Sequence, residues 1–300
     1  MNHSIRNLQL LMLNVGFANH MADWNWKNVH SPFARLYYVT EGEARVTFKS
    51  MRVGQPDKEV TLHPDHMYVI PPFTMHDELC NGNFMHYYAH IYENPESSMQ
   101  LFDSYSLPIE IKAGEMEIQL FQRLVEINPS MRLQDSNPKT YDNQPTLLHS
   151  ISRTNKLPLA DIMETRGIIC VLLSKFFRQA TLRQEIADSR IEQCVAWIRR
   201  NHNEEINIQK LASMACMSKD HFIRRFKAEL GQTPLAYITQ RKIEYAELML
   251  ITTETTVKEI AFKLGYEDFS YFNRIFRKWV GMTPLEYRNK QGKQKPRLLT

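Results

Sequence analysis

The 300-residue sequence has no apolar run of the roughly 18 residues that a membrane-spanning helix requires. Its only apolar stretch near the N-terminus covers residues 8–13. That stretch follows a single arginine and is not followed by a small-residue cleavage site, so a secretory signal peptide is not expected. We expect a cytoplasmic protein with no membrane partner.

Cysteine is scarce, and no two cysteines have the C-x-x-C spacing of a zinc site or a redox pair. The four residues are Cys80, Cys170, Cys194 and Cys216. We expect buried free thiols in a reducing compartment rather than disulfides or metal ligands. The sequence also lacks a P-loop, a G-x-G-x-x-G run and a Ser–His–Asp order, so it does not predict an enzyme.

Positive charge is concentrated in the last third of the chain. Residues 188–300 contain 20 Lys and Arg against 13 Asp and Glu, a net charge of +7, whereas the whole chain carries only +4. The remainder therefore carries −3. A basic C-terminal segment on a slightly acidic body indicates a polyanionic partner for that end alone.

Residues 8–92 have the pattern of short strands. Two β-rich segments, 34–39 and 44–48, flank Glu41-Gly42-Glu43, which predicts a hairpin. A strand at 67–70 ends at two prolines, and a long strand follows at 84–92. Short strands separated by Gly, Pro and Asn predict a small barrel or jelly roll.

Residues 93–187 have a helical pattern. Apolar residues recur at helical spacing over 115–133 and again over 159–179. Between them, residues 134–156 are polar and include two prolines, which predicts a loop. The two helices could cover the barrel, or bury an apolar stripe against a second subunit, and both alternatives remain open.

The basic segment contains an internal repeat. Leu211-Ala212 and Ile260-Ala261 are 49 residues apart, whereas the two Thr-Pro-Leu runs that begin at Thr233 and Thr283 are 50 apart. Each copy is predicted to form a helix, a tight turn and a second helix. Asn207 and Ser218 can cap helices in the first copy and Asp268 or Glu267 in the second. This is the geometry that places a second helix in the DNA major groove.

The second helix of each copy divides into an apolar face and a polar face. Phe222, Phe226 and Leu230 are expected to pack inward, as are Phe272, Phe276 and Val280 in the other copy. Arginine and asparagine can read base edges, and lysine suits phosphates. The candidate DNA-contacting residues are Lys219, Asp220, Ile223, Arg224 and Lys227, and then Phe269, Ser270, Asn273, Arg274, Arg277 and Lys278.

The last hundred residues resemble the AraC/XylS family of bacterial regulators. The resemblance lies in Lys258–Ala261, Leu264-Gly265-Tyr266, Ser270-Tyr271-Phe272, Arg274, Phe276 and the run from Gly281 to Arg288. It implies two helix-turn-helix subdomains joined by a long helix at about residues 235–250, each placing a recognition helix in the major groove. Asp220 occupies a position from which the family often contacts bases, and its role is left open, since a carboxylate repels phosphate but can accept from cytosine.

Residues 62–76 also resemble the family's sensor domain, a cupin-like barrel that holds a small ligand. Side chains alternate along 84–92, so His86, Tyr88 and His90 share one face with Phe84 and Tyr92. By analogy that face lines the cavity. The candidate ligand-binding residues are Trp24, Trp26, Arg35, Tyr37, Glu41, His76, His86, Tyr88 and His90. Such a set suits a sugar or similar polar metabolite, or the aromatic rings could simply fill the barrel.

Histidine also raises the question of a metal, because His76, His86 and His90 could converge on zinc, iron or copper. The sequence lacks the H-x-H pair and following glutamate of metal-binding cupin enzymes, although residues 63–66 come close. We expect no metal and no cofactor.

These observations predict an α+β chain with three parts: a cupin-like sensor barrel (1–92), a helical connector and dimerisation region (93–187), and an all-α domain of two helix-turn-helix motifs (188–300). The predicted function is a sequence-specific transcription regulator, an activator controlled by a small polar metabolite. The expected partners are promoter DNA, the effector, RNA polymerase and a second copy of the chain. The alternative is a metal-dependent cupin enzyme joined to a DNA-targeting module.

Overall fold

The computed structural model describes residues 8–50, 56–93, 101–142, 144–154, 156–182, 186–201, 204 and 206–292. The chain divides into two compact units, residues 1–182 and 183–300. The first unit combines strands and helices, and the described part of the second is helical. The mixed α+β character, with an N-terminal sheet unit, is therefore confirmed.

Two antiparallel sheets form the body of the first unit. The strands are β1 (Leu10–Met21), β2 (Asn25–Val29), β3 (Ala34–Gly42), β4 (Ala44–Phe48), β5 (Lys58–Leu62), β6 (His66–Ile70), β7 (His76–Leu79), β8 (Asn83–Glu93), β9 (Tyr105–Ser106), β10 (Glu110–Lys112) and β11 (Thr181–Leu182). The larger sheet has the order β1-β8-β3-β6-β10 and the smaller β2-β7-β4-β5, while β9 pairs with β11.

Strand β8 separates two hydrophobic cores because its side chains alternate. It pairs with β1 along one edge and with β3 along the other. Phe84 and Tyr88 pack in one core with Trp24. Ala89 and Ile91 pack in the other, together with apolar side chains from the helices. The alternation predicted for residues 84–92 is thus present in the structure.

The described part of the first unit also contains five helices: α1 (Leu101–Ser104), α2 (Glu115–Ile127), α3 (Pro138–Tyr141), α4 (Gln144–Thr154) and α5 (Leu159–Phe177). A 3-10 helix follows α2 at Pro129–Met131. Phe121 of α2 and Leu172 and Phe176 of α5 are fully buried against the larger sheet. Much of the apolar surface of α2 and α5 is therefore used inside the unit.

The prediction of a loop over residues 134–156 is wrong for most of that segment. Helix α4 forms because Leu147, Leu148 and Ile151 recur at helical spacing, and Leu147 is buried. Its last residue, Thr154, donates its hydroxyl to the carbonyl of Met12 in β1 at 3.1 Å. The polar residues between those positions concealed this short helix in the sequence.

Seven helices make up the described part of the second unit: α6 (Ser189–Arg200), α7 (Ile208–Met214), α8 (Lys219–Leu230), α9 (Pro234–Thr252), α10 (Val257–Lys263), α11 (Phe269–Val280) and α12 (Pro284–Gly292). The long helix predicted at about 235–250 is α9. Asn207, Ser218 and Asp268 cap α7, α8 and α11 as predicted.

The four cysteines differ in how exposed they are. All four cysteine thiols are free, and Cys80 and Cys194 are buried. Cys170 and Cys216 are exposed, contrary to expectation, because one lies on the outer side of α5 and the other in the turn before α8. Among the described helices none is long and apolar enough to cross a membrane.

Candidate nucleic-acid interface and sensor pocket

Helix α8 presents the first set of candidate DNA-contacting residues. Its buried side is formed by Phe222, Phe226 and Leu230. On the other side Ile223 is half-buried, and the exposed residues are Lys219, Asp220, Arg224 and Lys227. The Ser218 hydroxyl accepts the His221 N–H at 3.4 Å at the helix start, and Gly231 ends the helix at φ 73°.

Helix α11 presents the second set. Phe272 and Phe276 are buried, whereas Val280, expected to be buried, is only half-buried. Phe269 and Asn273 are also half-buried, and the Asn273 amide donates to the Phe269 carbonyl at 3.0 Å within the helix. The exposed residues are Ser270, Arg274, Arg277 and Lys278.

The two helix pairs pack in the same way. Ring centroids of Phe226 and Tyr237 lie 5.7 Å apart at 67°, and those of the equivalent Phe276 and Tyr287 lie 5.7 Å apart at 76°. Both turns close with the same backbone bond, from Met217 to Ala212 at 2.9 Å and from Tyr266 to Ala261 at 3.0 Å. The repeat in the sequence is therefore a repeat in three dimensions.

Lys242, on the long helix α9, connects the two copies. Its buried ammonium donates to the carbonyl of Glu204, which precedes α7, at 2.8 Å and to that of Leu264, at the end of α10, at 2.6 Å. It also lies 5.1 Å from the ring centroid of Tyr266. Lys242 is not among the residues predicted from the sequence, although a lysine within an apolar helical stretch is a signal for such a role.

A cavity of about 220 Å³ opens in the first unit. Its walls include five of the nine predicted ligand-binding residues: Trp24, Tyr37, His86, Tyr88 and His90. The other lining residues are Phe17, Ala18, Asn19, His20, Asp23, Leu133, Gln134, Asp135, Ser136 and Tyr141. The structure thus brings together β1, β3, β8 and a segment preceding α4.

Four predicted residues lie outside the lining. Glu41 is exposed and accepts from the Asn83 amide at 2.7 Å, so its expected position in the cavity is wrong. A register shift between Val39 and Glu41 in β3 breaks the alternation that would have turned Glu41 inward.

The other three residues outside the lining are buried or partly buried. Trp26 lies on the edge strand β2 and packs half-buried at the rim of the core. Arg35 and His76 are fully buried behind the wall.

Arg35 ties strand β3 to the segment that covers the cavity. Its guanidinium donates to the Tyr141 hydroxyl at 2.7 Å and to the Asp142 carboxylate at 3.0 Å, and Ser31 also donates to Asp142. Burial raises the pKa of Asp142 to about 6, although the nearby Arg35 charge opposes the rise. Tyr141 and Asp142 were missed in the sequence because they lie within the segment interpreted as a loop.

His76 belongs to a second buried polar group. Its Nδ1 faces the Thr74 carbonyl at 2.8 Å, and its Nε2 lies 3.3 Å from the Glu78 carboxylate. Glu78 also accepts from the Tyr37 hydroxyl at 3.1 Å. Although burial raises the pKa of Glu78, its hydrogen bond from His76 and the Arg35 charge bring the pKa below its usual value. An ionised Glu78 therefore holds Tyr37 at the cavity wall.

Tyr88 holds the covering segment through its hydroxyl, which accepts the backbone N–H of Leu133 at 2.9 Å. The ring passes close over Gly16 of β1: a Cβ at that position would lie 2.4 Å from the Tyr88 oxygen. Only glycine at position 16 leaves room for this ring. Within the described residues, no group of three or more His, Cys, Asp or Glu side chains is arranged to hold a metal ion.

Comparison with known proteins identifies the second unit. Residues 211–290 match a family model described as a helix-turn-helix domain. These residues form a domain of the AraC type. Over 95 residues, 32% of this chain and 31% of the relative, the chain is 35% identical to the MmsAB operon regulatory protein of Pseudomonas aeruginosa. Over 143 residues, 48% of this chain and 51% of the relative, the chain is 26% identical to the lactose operon transcription activator of Staphylococcus xylosus.

These matches span about a third to a half of the length of the curated relatives. Among solved structures, the DNA-binding domain of AdpA, crystallised with a target DNA, is 28% identical. That comparison covers 36% of this chain and 97% of the other, with a TM-score of 0.34.

Proposed function

We propose that the chain is a sequence-specific transcription regulator whose AraC-type domain binds a promoter through both helix pairs. The observation that carries this proposal is the duplicated arrangement of α8 and α11. Each helix buries two phenylalanines and exposes basic residues, Arg224 and Lys227 in one and Arg274, Arg277 and Lys278 in the other. We propose that both pairs are helix-turn-helix motifs, reading successive segments of one DNA face.

For the first unit we propose a cupin-like barrel that senses a small polar metabolite. The support is the cavity, with Trp24 and Tyr37 rings beside hydrogen-bonding groups of His86, Tyr88 and His90. A sugar suits this combination of rings and polar groups. We propose that the chain has three functional parts: the sensor barrel at residues 1–92, a helical connector and dimerisation region at 93–187, and the DNA-binding part at 188–300.

We further propose that the chain works as a homodimer joined through α5. The buried side of this helix packs inside the unit, but the opposite side exposes Leu159, Met163 and Val171, at 71%, 65% and 37%. A side chain added at Gly167 would meet nothing within 4 Å. This open apolar side could pack against a second helix. Light scattering that shows a monomer at micromolar concentration would remove this proposal.

Activation through RNA polymerase is the proposed outcome of promoter binding. Its support is the relative from Staphylococcus xylosus, which is named as a transcription activator. A reporter gene behind a bound promoter tests the direction: expression that rises with the regulator supports activation, and expression that falls supports repression.

The test of DNA recognition is selection of binding sites by the full chain from a random duplex library. We expect enrichment of two short motifs whose centres are separated by about one helical turn, roughly 10 base pairs. Recovery of DNA without any enriched motif would contradict sequence-specific binding. The affinity of the full chain for a selected site, measured with and without added effector, then shows whether the first unit controls that binding.

A further inference from the structure

The cavity contains a buried hydrogen-bonding atom that the protein does not satisfy. His90 is 1% exposed and lines the cavity, and its Nδ1 has no hydrogen-bond partner within the described part of the chain. A buried polar atom left without a partner destabilises the folded chain. Such an atom beside a cavity indicates a partner that arrives from outside the chain.

Arg35 determines which kind of partner His90 requires. The guanidinium nitrogen of Arg35 lies 3.2 Å from His90 Nε2. Arginine has donors only, so Nε2 must be the acceptor of this bond. Burial lowers the pKa of His90 well below its usual value, and the Arg35 charge lowers it further. The ring is therefore neutral, and its one proton sits on Nδ1. His90 Nδ1 is an N–H donor that requires an acceptor.

His86, four residues earlier on β8, adds a second unsatisfied atom. It is 2% exposed, and its Nδ1 also has no partner among the described residues. Burial lowers the pKa of His86 to about 3, so this ring too is neutral. No hydrogen bond among the described residues fixes its tautomer, so His86 Nδ1 is either a donor or an acceptor. A ligand hydroxyl group can pair with His86 Nδ1 in either tautomer, because it both donates and accepts hydrogen bonds.

The charge of the lining limits the ligand further. Two carboxylate residues, Asp23 and Asp135, line the cavity, and the lining contains no lysine or arginine. Burial raises the pKa of Asp23, but its hydrogen bond to His20 and the charge of that ring together bring the pKa below the usual value, so this group is ionised. Arg35 lies behind His90 and is paired with Asp142. Among the described residues that line the cavity, a negatively charged ligand would therefore meet two carboxylates and no lysine or arginine.

From this geometry we infer that the effector is an uncharged, hydroxyl-bearing small molecule that places an oxygen on His90 Nδ1–H. The inference rests on the proposed sensing function and names the chemistry of its ligand. An ammonium ligand suits the carboxylates but has no acceptor for His90. A carboxylate or phosphate ligand has acceptors but meets Asp23 and Asp135. The cavity of about 220 Å³ is below the usual range of roughly 300–1,000 Å³, which favours a small ligand.

The tautomer is tested without any ligand. A long-range proton–nitrogen NMR spectrum of the full chain, compared with that of the His90→Phe variant, assigns the two ring nitrogens of His90. We expect a neutral ring with the proton on Nδ1. A proton on Nε2, or a doubly protonated ring at neutral pH, would overturn the inference. This result does not depend on whether the chain binds DNA.

The ligand class is tested by thermal-shift titration of the full chain with matched probes. Glucose, xylose and glycerol are the neutral probes, gluconate, xylonate and glycerate are their acids, and glucosamine is the amine. We expect at least one neutral probe to bind tenfold or more tightly than its acid and than glucosamine. A panel in which no neutral probe shows this preference overturns the inference.

Two variants connect the preference to His90. His90→Phe removes both ring nitrogens and should weaken the neutral probe roughly tenfold or more. His90→Asn keeps an N–H donor at the same number of bonds from the backbone as Nδ1, so it should retain more binding than His90→Phe. Equal binding by wild type and both variants would contradict the assignment. DNA binding measured on the same samples separates loss of the sensor's ligand from failure of the regulator as a whole.

Discussion

The ammonium of Lys242 lies 2.6 Å from the carbonyl of Leu264, and this bond joins the helix between the two copies to the turn of the second. The same ammonium holds the Glu204 carbonyl before the first copy at 2.8 Å. One buried lysine therefore links the two helix pairs that we propose meet the same DNA face. If both pairs read DNA, the distance between them affects the affinity for a binding site as much as their contacts with the bases do.

Replacing Lys242 with methionine should weaken both the fold and the binding. The change keeps an unbranched side chain, one atom shorter, but leaves two carbonyls without their donor, which costs about 1–3 kcal/mol of unfolding free energy. We expect at least a tenfold loss of affinity for a selected site. Lys258→Met is the control, since it removes the same charge from an exposed position. Equal losses in the two variants would show that charge, and not spacing, accounts for the effect.

Cys216→Gly should stabilise the C-terminal unit. Cys216 adopts φ 53°, and the equivalent residue of the second copy, 49 positions later, is Gly265 at φ 68°. A side chain in this left-handed conformation costs about 1–2 kcal/mol, partly offset by the greater freedom of glycine in the unfolded chain. We expect a net gain of roughly 0.5–1 kcal/mol in denaturant unfolding. The reverse change, Gly265→Cys, should destabilise. A lower midpoint for Cys216→Gly would be inconsistent with strain at this turn.

Glu247 should make the stability of the C-terminal unit depend on pH. Burial raises the pKa of this carboxyl to about 8, with a further rise from Glu244 and an opposing hydrogen bond from Tyr287. The folded state therefore binds its proton more tightly than the unfolded state does. The resulting stabilisation is complete below the ordinary pKa near 4.5, and is lost as the pH rises through about 8.

Glu247→Gln should remove that dependence. The amide is neutral at every pH, so the stability difference between the variant and wild type should change by on the order of 3–5 kcal/mol between pH 4 and pH 9. Glu254→Gln, at an exposed position, is the control and should show no such change. Parallel pH profiles for wild type and Glu247→Gln in urea unfolding would refute a neutral buried carboxyl.

Gly16→Ala should displace Tyr88 and loosen the cover of the cavity. The added methyl group would lie 2.4 Å from the Tyr88 oxygen, so the ring must move and lose its bond from Leu133. We expect a loss of about 1–3 kcal/mol in stability and weaker binding of the effector. Gly82→Ala is the control because a methyl group there meets nothing within 4 Å. A Gly16→Ala variant with unchanged melting temperature and effector response would contradict this packing.

The C-terminal unit was largely predictable from the sequence because its signals are local. Ser218 and Asp268 cap helices from adjacent positions, Gly231 and Gly281 end them, and the repeat supplied an internal check. Side-chain alternation likewise separated the two faces of β8. These patterns depend on residues a few positions apart, where spacing alone determines the face.

The cavity was predictable only in part because its remaining walls depend on long-range contacts. Arg35 and Asp142 are 107 residues apart, and no spacing indicates that they meet. The register shift after Val39 turned Glu41 outward, and a bulge leaves little trace in a single sequence. Lys242 was missed for a related reason, since its two carbonyl partners lie 38 and 22 residues away in the sequence, outside α9.

Salt-dependent DNA binding by the full chain shows whether α8 and α11 read a DNA sequence. Fluorescence anisotropy with a selected site and a scrambled duplex should show specific binding that weakens with salt, with a slope of about −0.9 for each phosphate contacted. Arg274→Ala should lose about 1–3 kcal/mol on the selected site only. Lys278→Ala should lose affinity on both duplexes. Equal binding of the selected and scrambled duplexes by wild type, or equal losses in both variants on both, would contradict the account.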